Sequence, residues 1–378
     1  MKVLFIADHL KYGGTEQVLI DVLGHFDENK YDVSLCLLDD ELELLSCVPS
    51  YVSVIKYDHF PLFKLVKKVC RRFNAIRIYL FLERMAFKRF MSDKKFDIVI
   101  SWKEGEAVLF HSFIFERANQ KNITWLHTNL KLNHWTMFWC YGNQIALEHN
   151  IYKNKHLSNI VFVSHGQKTS FNSLYSDICH AQSVVYNLID KERIEEKSTE
   201  FEVTKHRYTI CCIGRLSKEK RIDKAILAAK ELKERGCDFE LWIIGNGYCY
   251  EELMAMISDF KLADCIKMLG YQRNPYPYLR SADMLLLTSD TESFSLVVVE
   301  ALCLSKPVIS TATLGPVELL EDKYGIITGF EVADIANAVQ ELMSDEDKMA
   351  NLSLLAKQRA GILSDPDKTM QQIYDLFQ

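Results

Sequence analysis

The chain has 378 residues, 48% hydrophobic and 25% charged, ordinary values for a globular protein; at one domain per ~150 residues it divides into two. An aromatic content of 11%, with only 15 Gly and 7 Pro, excludes a disordered, collagen-like or low-complexity chain. The net charge of −6 argues against a general nucleic-acid binder, but it is uneven: residues 56–95 hold twelve Lys/Arg against three acids, or +9, which leaves −15 for the other 338 residues.

The opening Lys2-Val3-Leu4-Phe5-Ile6-Ala7-Asp8 has an apolar run too short for the hydrophobic region of a signal peptide. It suits a first strand buried on both faces of a parallel sheet. It runs through Gly13-Gly14 into an amphipathic helix from about Thr15 to Phe26, and strand, glycine loop and helix open a βαβ unit. Further strands are expected at 31–38, 52–56, 96–102, 122–126 and 159–163. The basic segment between them carries Leu62, Leu65, Val66, Val69, Phe73, Ile76 and Leu80 at helical spacing, so it reads as an amphipathic helix. Residues 190–207 are polar with little core material and read as a linker. A second α/β rhythm follows, with strands at 208–213, 239–244, 266–269, 284–287 and 308–311 and helices such as 222–235 and 251–260; Gly236 is placed to end the first of these. Two open parallel sheets in tandem bind ligands at the carboxyl ends of their strands, and a cleft between two such sheets is the expected site. The eleven cysteines are scattered without a C-x-x-C pair, which points to free thiols rather than a disulfide framework or zinc site.

Four stretches carry chemistry. In Ser289-Asp290-Thr291-Glu292-Ser293-Phe294-Ser295-Leu296, continuing to Glu300, two acids eight residues apart flank a helix start. Carboxylates so placed can accept from the hydroxyls of a polyhydroxylated ligand, while the N–H groups of Phe294, Ser295 and Leu296 face an anion. An ordinary N-terminal acid on a helix dipole with one solvated Glu fits the same spacing. In Gly214-Arg215-Leu216-Ser217-Lys218-Glu219-Lys220, after a strand, Arg215 and Lys220 are suited to neutralising a diphosphate; a solvated basic loop is the alternative. Gly13-Gly14 lets a phosphate or sugar approach the backbone, or is a plain tight turn. His127, closing the strand Ile123-Thr124-Trp125-Leu126, is a site candidate or a structural histidine. Gly245-Asn246-Gly247 lacks a third glycine at dinucleotide spacing, with Tyr250 there instead, which disfavours a nicotinamide dehydrogenase. The absence of G-x-x-x-x-G-K-[ST] and of G-x-S-x-G argues against P-loop ATP hydrolysis and the usual hydrolase elbow.

Taken together these residues resemble the large retaining glycosyltransferase family four, the glycosyl transferases group 1 with the GT-B fold. The elements follow the family's order: Gly13-Gly14, His127-Thr128, Gly214–Lys220 (G-R-L-x-x-E-K), Gly245–Gly247, Leu269–Tyr271, Glu292 to Glu300, Lys306–Thr311 and Gly315–Leu320. The resemblance covers most of the chain and is strongest over 208–330. It implies an α/β GT-B fold of two Rossmann-like parallel-sheet domains facing a central cleft. Residues 1–187 would bind acceptor, 188–207 link, 208–362 bind nucleotide-sugar, and 363–378 form a helix packing back on the N-terminal domain. By family match, Arg215 and Lys220 hold the donor diphosphate, Glu300 the ribose hydroxyls and Glu292 the transferred sugar. The backbone of Ser293, Phe294, Ser295 and Leu296 holds sugar and phosphate. Gly245 and Tyr271 line the nucleotide, Gly13 and Gly14 the phosphates, and His127 the donor sugar near its anomeric carbon. His127, Glu292, Arg215 and Lys220 form the catalytic set, and no protein general base is assigned. No D-x-D motif is placed to serve the site, so no metal and no cofactor are expected.

Three positions depart from the family: Ser293 and Ser305 where glycine is frequent, and Leu188 where N-G-[IV]-D is common. The expected reaction moves a sugar from a UDP-linked hexose or N-acetylhexosamine to a glycan or lipid-linked acceptor of a bacterial surface polysaccharide. An epimerase of nucleotide sugars and a non-catalytic partner subunit are the other readings. The expected location is the cytoplasm, peripheral on an anionic membrane through residues 62–95, without nucleic acid as a partner.

Overall fold

The computed structural model describes residues 1–57, 76–131 and 144–378. It divides into two compact units, Met1–Leu188 with Asp367–Gln378, and Ile189–Pro366. In the first unit, β1 (Lys2–Ala7), β2 (Asp32–Leu37), β3 (Ser53–Lys56), β4 (Ile98–Ser101), β5 (Lys121–Leu126), β6 (Asn159–Phe162) and β7 (Ala181–Val184) form one parallel sheet in the order β3-β2-β1-β4-β5-β6-β7. Val3, Leu4, Phe5 and Ile6 are fully buried, as the continuous apolar run demands of a strand covered on both faces. The strand β7 was not expected: Ala-Gln-Ser-Val is short and half polar because it closes an edge.

The basic segment is described only in its second part. Residues 62–75 of the expected helix lie outside the described residues, and Ile76–Phe90 is helical. Its Tyr79, Glu83 and Phe87 point inward, while Ile78, Phe81, Leu82 and Met85 are exposed. The helix Pro366–Asp375 at the chain end opens on a proline, whose fixed φ and missing N–H suit a first helical position. Within the first unit the Tyr374 ring stacks on Tyr31 at 4.9 Å, and the Asp27 N–H donates to the Tyr374 hydroxyl at 3.1 Å.

In the second unit, β8 (Tyr208–Ile213), β9 (Phe239–Ile244), β10 (Ile266–Gly270), β11 (Met284–Leu287), β12 (Val308–Thr311) and β13 (Ile326–Thr328) run parallel in the order β10-β9-β8-β11-β12-β13. The helix Ile222–Glu234 buries Ile222, Ala225, Ile226, Ala229 and Leu232 at three- to four-residue spacing, and Gly236 lies just past it at φ +79°. Ser305, where the family often has glycine, likewise stands at φ +57°, two residues past the helix Leu296–Cys303. Residues 188–207, expected to be linker, carry the helix Lys191–Lys197: Asp190 caps it by accepting from the Arg193 N–H at 2.9 Å, and Ile194 is buried. A cap and a single apolar anchor suffice for those two turns.

Both sheets reverse strand order once, beside β1 in the first unit and beside β8 in the second. The loops leaving the two adjacent strands diverge there, which opens a crevice at the strands' carboxyl ends. The chemistry-bearing residues of each unit sit at its own reversal.

Candidate functional site

In the second unit, the loop after β8 and the loop after β11 are bolted together. The Thr288 hydroxyl donates to the carbonyl of Arg221 at 2.8 Å, and the Asp290 N–H donates to the carbonyl of Glu219 at 2.9 Å. Arg221 adds side-chain bonds to Asp223 and Asp290, and this network holds the single turn Lys218–Lys220 before the helix Ile222–Glu234. Lys220 is thereby aimed at Glu292, with Nζ 2.6 Å from Oε1. The Ser289 hydroxyl donates to the same carboxylate oxygen at 2.7 Å. The Glu292 side chain is only 9% exposed and that of Lys220 27%, so the pair is shielded from water without being sealed. Arg215, on the same loop, extends into solvent.

The glycines here have steric reasons. A Cβ on Gly245 would overlap the carbonyl oxygen of Gly214, and Gly245 stands at φ +149°. A Cβ on Gly247 would overlap the carbonyl of Leu216. The G-x-G turn therefore lets the β9 loop cross the Gly214–Leu216 backbone, which it bonds through Gly214 N–H to Ile244 O (3.0 Å) and Leu216 N–H to Asn246 O (2.9 Å). Gly315 plays the same part against Phe294, and its N–H donates to the carbonyl of Glu292 at 2.9 Å.

Glu292, Ser293, Phe294 and Ser295 thus form a pinned strap leading into the helix Leu296–Cys303. Ser293, Phe294 and Ser295 are buried. Glu300 lies along that helix and accepts from the Tyr276 hydroxyl at 3.1 Å. Tyr271, in the loop after β10, is 54% exposed. An exposed cation, a second cation on an acid, and a helix start with free N–H groups can neutralise an anion, while two carboxylates accept from hydroxyls. Sequence reasoning missed Ser289, Arg221, Asp290 and Tyr276. Of these only Ser289 carried a signal, standing directly after the apolar strand.

In the first unit, the residues after β1, β4 and β5 build a cluster of buried charges. Glu104 is 3% exposed, and its two carboxylate oxygens accept from the His127 N–H at 2.9 Å and the Thr128 hydroxyl at 2.6 Å. The His127 ring lies tilted against Trp102 at 5.0 Å and also bonds the Trp102 carbonyl, while its Nε2 is buried with no partner among the described residues. Burial pushes the His127 pKa down to about 4, so the ring is neutral at physiological pH.

Lys103 Nζ lies 3.4 Å from Glu16 Oε1, and His9 Nδ1 lies 3.7 Å from the same oxygen. Burial works against the Lys103 charge, but Glu16, Asp8 and Glu104 outweigh it and raise its pKa. Asp8 accepts from the Ala107 N–H at 2.6 Å, at the start of the helix Glu106–Ser112, and burial raises its pKa to about 7. The Trp102 indole N–H donates to the carbonyl of Thr15 at 3.0 Å, tying the Gly13-Gly14 loop to β4. A Cβ on Gly13 would meet the end of the Glu16 side chain; Gly14 begins the helix Gly14–Gly24. The structure thus groups Gly13, Gly14 and His127 at the carboxyl ends of the central strands and adds Asp8, His9, Glu16, Lys103 and Glu104, which sequence reasoning missed.

Residues 193–359 match the family model described as Glycosyl transferases group 1. The N-acetylgalactosamine-N,N'-diacetylbacillosaminyl-diphospho-undecaprenol 4-alpha-N-acetylgalactosaminyltransferase of Campylobacter jejuni is 27% identical over 354 residues, covering 89% of this chain and 88% of its own. The amylovoran biosynthesis glycosyltransferase AmsK of Erwinia amylovora is 36% identical over 120 residues, 30% of each chain. Among solved structures, Anabaena HepE in complex with UDP and glucose matches with a TM-score of 0.77 at 20% identity, over 99% of this chain and 98% of that one. Sucrose-phosphate synthase from Thermosynechococcus elongatus matches with a TM-score of 0.79 at 13% identity, over 100% and 98%. The structural likenesses carry the two-sheet GT-B fold and the sequence matches carry the activity: the chain is a glycosyltransferase whose second unit is similar to the glycosyl transferases group 1.

Proposed function

We propose that the protein transfers a hexose or N-acetylhexosamine, with retention of configuration, from a uridine-diphosphate sugar to a glycan or lipid-linked acceptor in the synthesis of a bacterial surface polysaccharide. The observation that carries it is the Lys220–Glu292–Ser289 contact beside the start of the helix Leu296–Cys303, at the reversal point of the second sheet. The Campylobacter relative, named for a diphospho-undecaprenol substrate, supports the lipid-linked acceptor, and HepE with UDP and glucose supports the uridine donor.

In this reading Arg215 and Lys220 neutralise charge developing on the leaving diphosphate, the part a divalent metal plays in other transferases, so that no metal is required. Glu300 accepts from the ribose, with Tyr276 orienting its carboxylate. Glu292 accepts from the transferred sugar and is aimed by Lys220 and Ser289. Tyr271 and Gly245 border the nucleotide, the strap Ser293–Leu296 offers its N–H groups, and Gly13, Gly14 and His127 serve the donor sugar and phosphates. Retention follows a front-face course in which the leaving diphosphate itself helps deprotonate the acceptor, so no side chain is assigned as base. The test is a screen of UDP-sugars by nucleoside diphosphate release with and without lipid-linked acceptor. Acceptor-dependent release is expected; epimerisation without acceptor, or binding without release, contradicts the proposal.

The enzyme works on the cytoplasmic face of a membrane. Among the described residues no helix is long and apolar enough to cross one. The helix Ile76–Phe90 instead exposes Ile78, Phe81, Leu82 and Met85 at three- and four-residue spacing, flanked by Arg84, Lys88 and Arg89. Apolar side chains ringed by cations suit the interface of an anionic bilayer, with about 1 kcal/mol per surface cation. Co-sedimentation with vesicles containing anionic lipid should fall as salt rises; binding indifferent to anionic lipid contradicts it.

A further inference from the structure

Ser295 combines two features that folding alone does not call for. It stands at φ +82° and ψ 90°, a region L-residues other than glycine rarely adopt. Its hydroxyl is also buried, with the residue 8% exposed, and has no hydrogen-bond partner among the described residues. As the residue before Leu296 it faces the start of the helix Leu296–Cys303, yet its side chain does not cap that helix. A serine at an N-cap ordinarily bends back to a helix N–H, and here the hydroxyl makes no such bond. The conformation is imposed from outside: Gly315 packs on Phe294 and bonds the carbonyl of Glu292, clamping the strap just before Ser295.

We infer that the Ser295 hydroxyl is a ligand-binding group, held in a strained turn so that it donates to a phosphate oxygen of a bound nucleoside diphosphate. A phosphate rather than a neutral group is indicated by the surroundings. The helix start supplies free N–H groups, and Lys220 reaches Glu292, at the other end of the strap, at 2.6 Å. The strain keeps the donor from being spent on the helix's own cap. This inference rests on the functional reading above and adds a side-chain donor to it. It predicts that binding and stability pull in opposite directions at one residue, which a purely structural serine does not do.

The test uses the full chain, with calorimetric titration of UDP, GDP and ADP and thermal unfolding without ligand. Ser295→Ala removes the hydroxyl and keeps the strained turn; it should weaken UDP binding about ten-fold and leave the melting temperature unchanged. Ser295→Gly also relieves the turn; it should weaken binding at least as much and raise the melting temperature by about 2 °C. Wild-type affinity in Ser295→Ala overturns the inference. A lowered melting temperature in Ser295→Gly overturns the strain behind it. A wild type that binds none of the three nucleotides contradicts the functional reading itself and the inference with it. Wild-type binding with unaltered variants contradicts the inference alone.

Discussion

The two sheet reversals solve the same placement problem by different physics. In the second unit the loops are locked by backbone crossings, where Gly245, Gly247 and Gly315 remove side chains so that one strand's loop can rest on another's carbonyls. The charged side chains left over, Lys220 and Glu292, are paired with each other and partly open to water. In the first unit the loops are locked by buried carboxyl groups: Glu104 holds the His127 N–H and the Thr128 hydroxyl, and Asp8 holds the start of a helix. Shape fixes one site and desolvated electrostatics the other. The second unit should therefore fail by steric substitution and the first by loss or titration of a carboxylate.

Five substitutions break or sharpen this contrast. The largest effect is expected for Glu292→Gln, which halves a carboxylate that accepts from both Lys220 and Ser289: turnover measured by UDP release should fall by about 100-fold while UDP affinity is retained. Gly245→Ala places a methyl on the Gly214 carbonyl at a φ of +149°, and urea unfolding should show a loss of at least ~2 kcal/mol. Glu104→Ala leaves a buried N–H at His127 and the Thr128 hydroxyl without their acceptor, for about 2 kcal/mol by the same measurement. Glu104→Gln can still accept from the His127 N–H and should recover most of it.

The smallest effect is a pH slope. His127 and His111 are buried, which lowers their pKa values to about 4 and about 3. Between those values and 6.5 the unfolded chain binds protons that the folded chain refuses, so each costs stability as pH falls. Asp8, raised from 3.8 to about 7, acts the other way: the folded chain keeps a proton that the unfolded chain has lost, so its contribution is present at low pH and vanishes as pH rises to 7. Asp8→Asn deletes that opposing term. Unfolding curves at pH 5, 6 and 7 should show a steeper loss on acidification in the variant, by up to about 1.4 kcal/mol per pH unit. A shallower loss would show that Asp8 is charged in the folded chain.

The same contrast explains what could be read from the residues in order. The central strands announced themselves because a strand covered on both faces must be a continuous apolar run, as in Val3–Ile6 and Tyr208–Ile213. The edges β7 and β13 did not, because an edge is short and need not be apolar. The second unit's site was legible because its parts lie in short motifs, each at the end of a strand. In the first unit Lys103 meets Glu16 and Ala107 meets Asp8 across 87 and 99 residues, and pairing at that distance leaves no local pattern. Gly13 was read as room for a ligand, and the structure adds that its open side faces the Glu16 carboxylate.

The claim on which everything rests is that the reversal point of the second sheet holds the donor's diphosphate between Arg215, Lys220 and the start of the helix Leu296–Cys303. Calorimetric titration of UDP into the wild type and into the Arg215→Ala, Lys220→Ala double variant tests it most directly, with thermal unfolding to show that both are folded. Removing two charge-assisted contacts should weaken binding by at least 100-fold. A folded double variant that binds UDP as tightly as the wild type would contradict the placement.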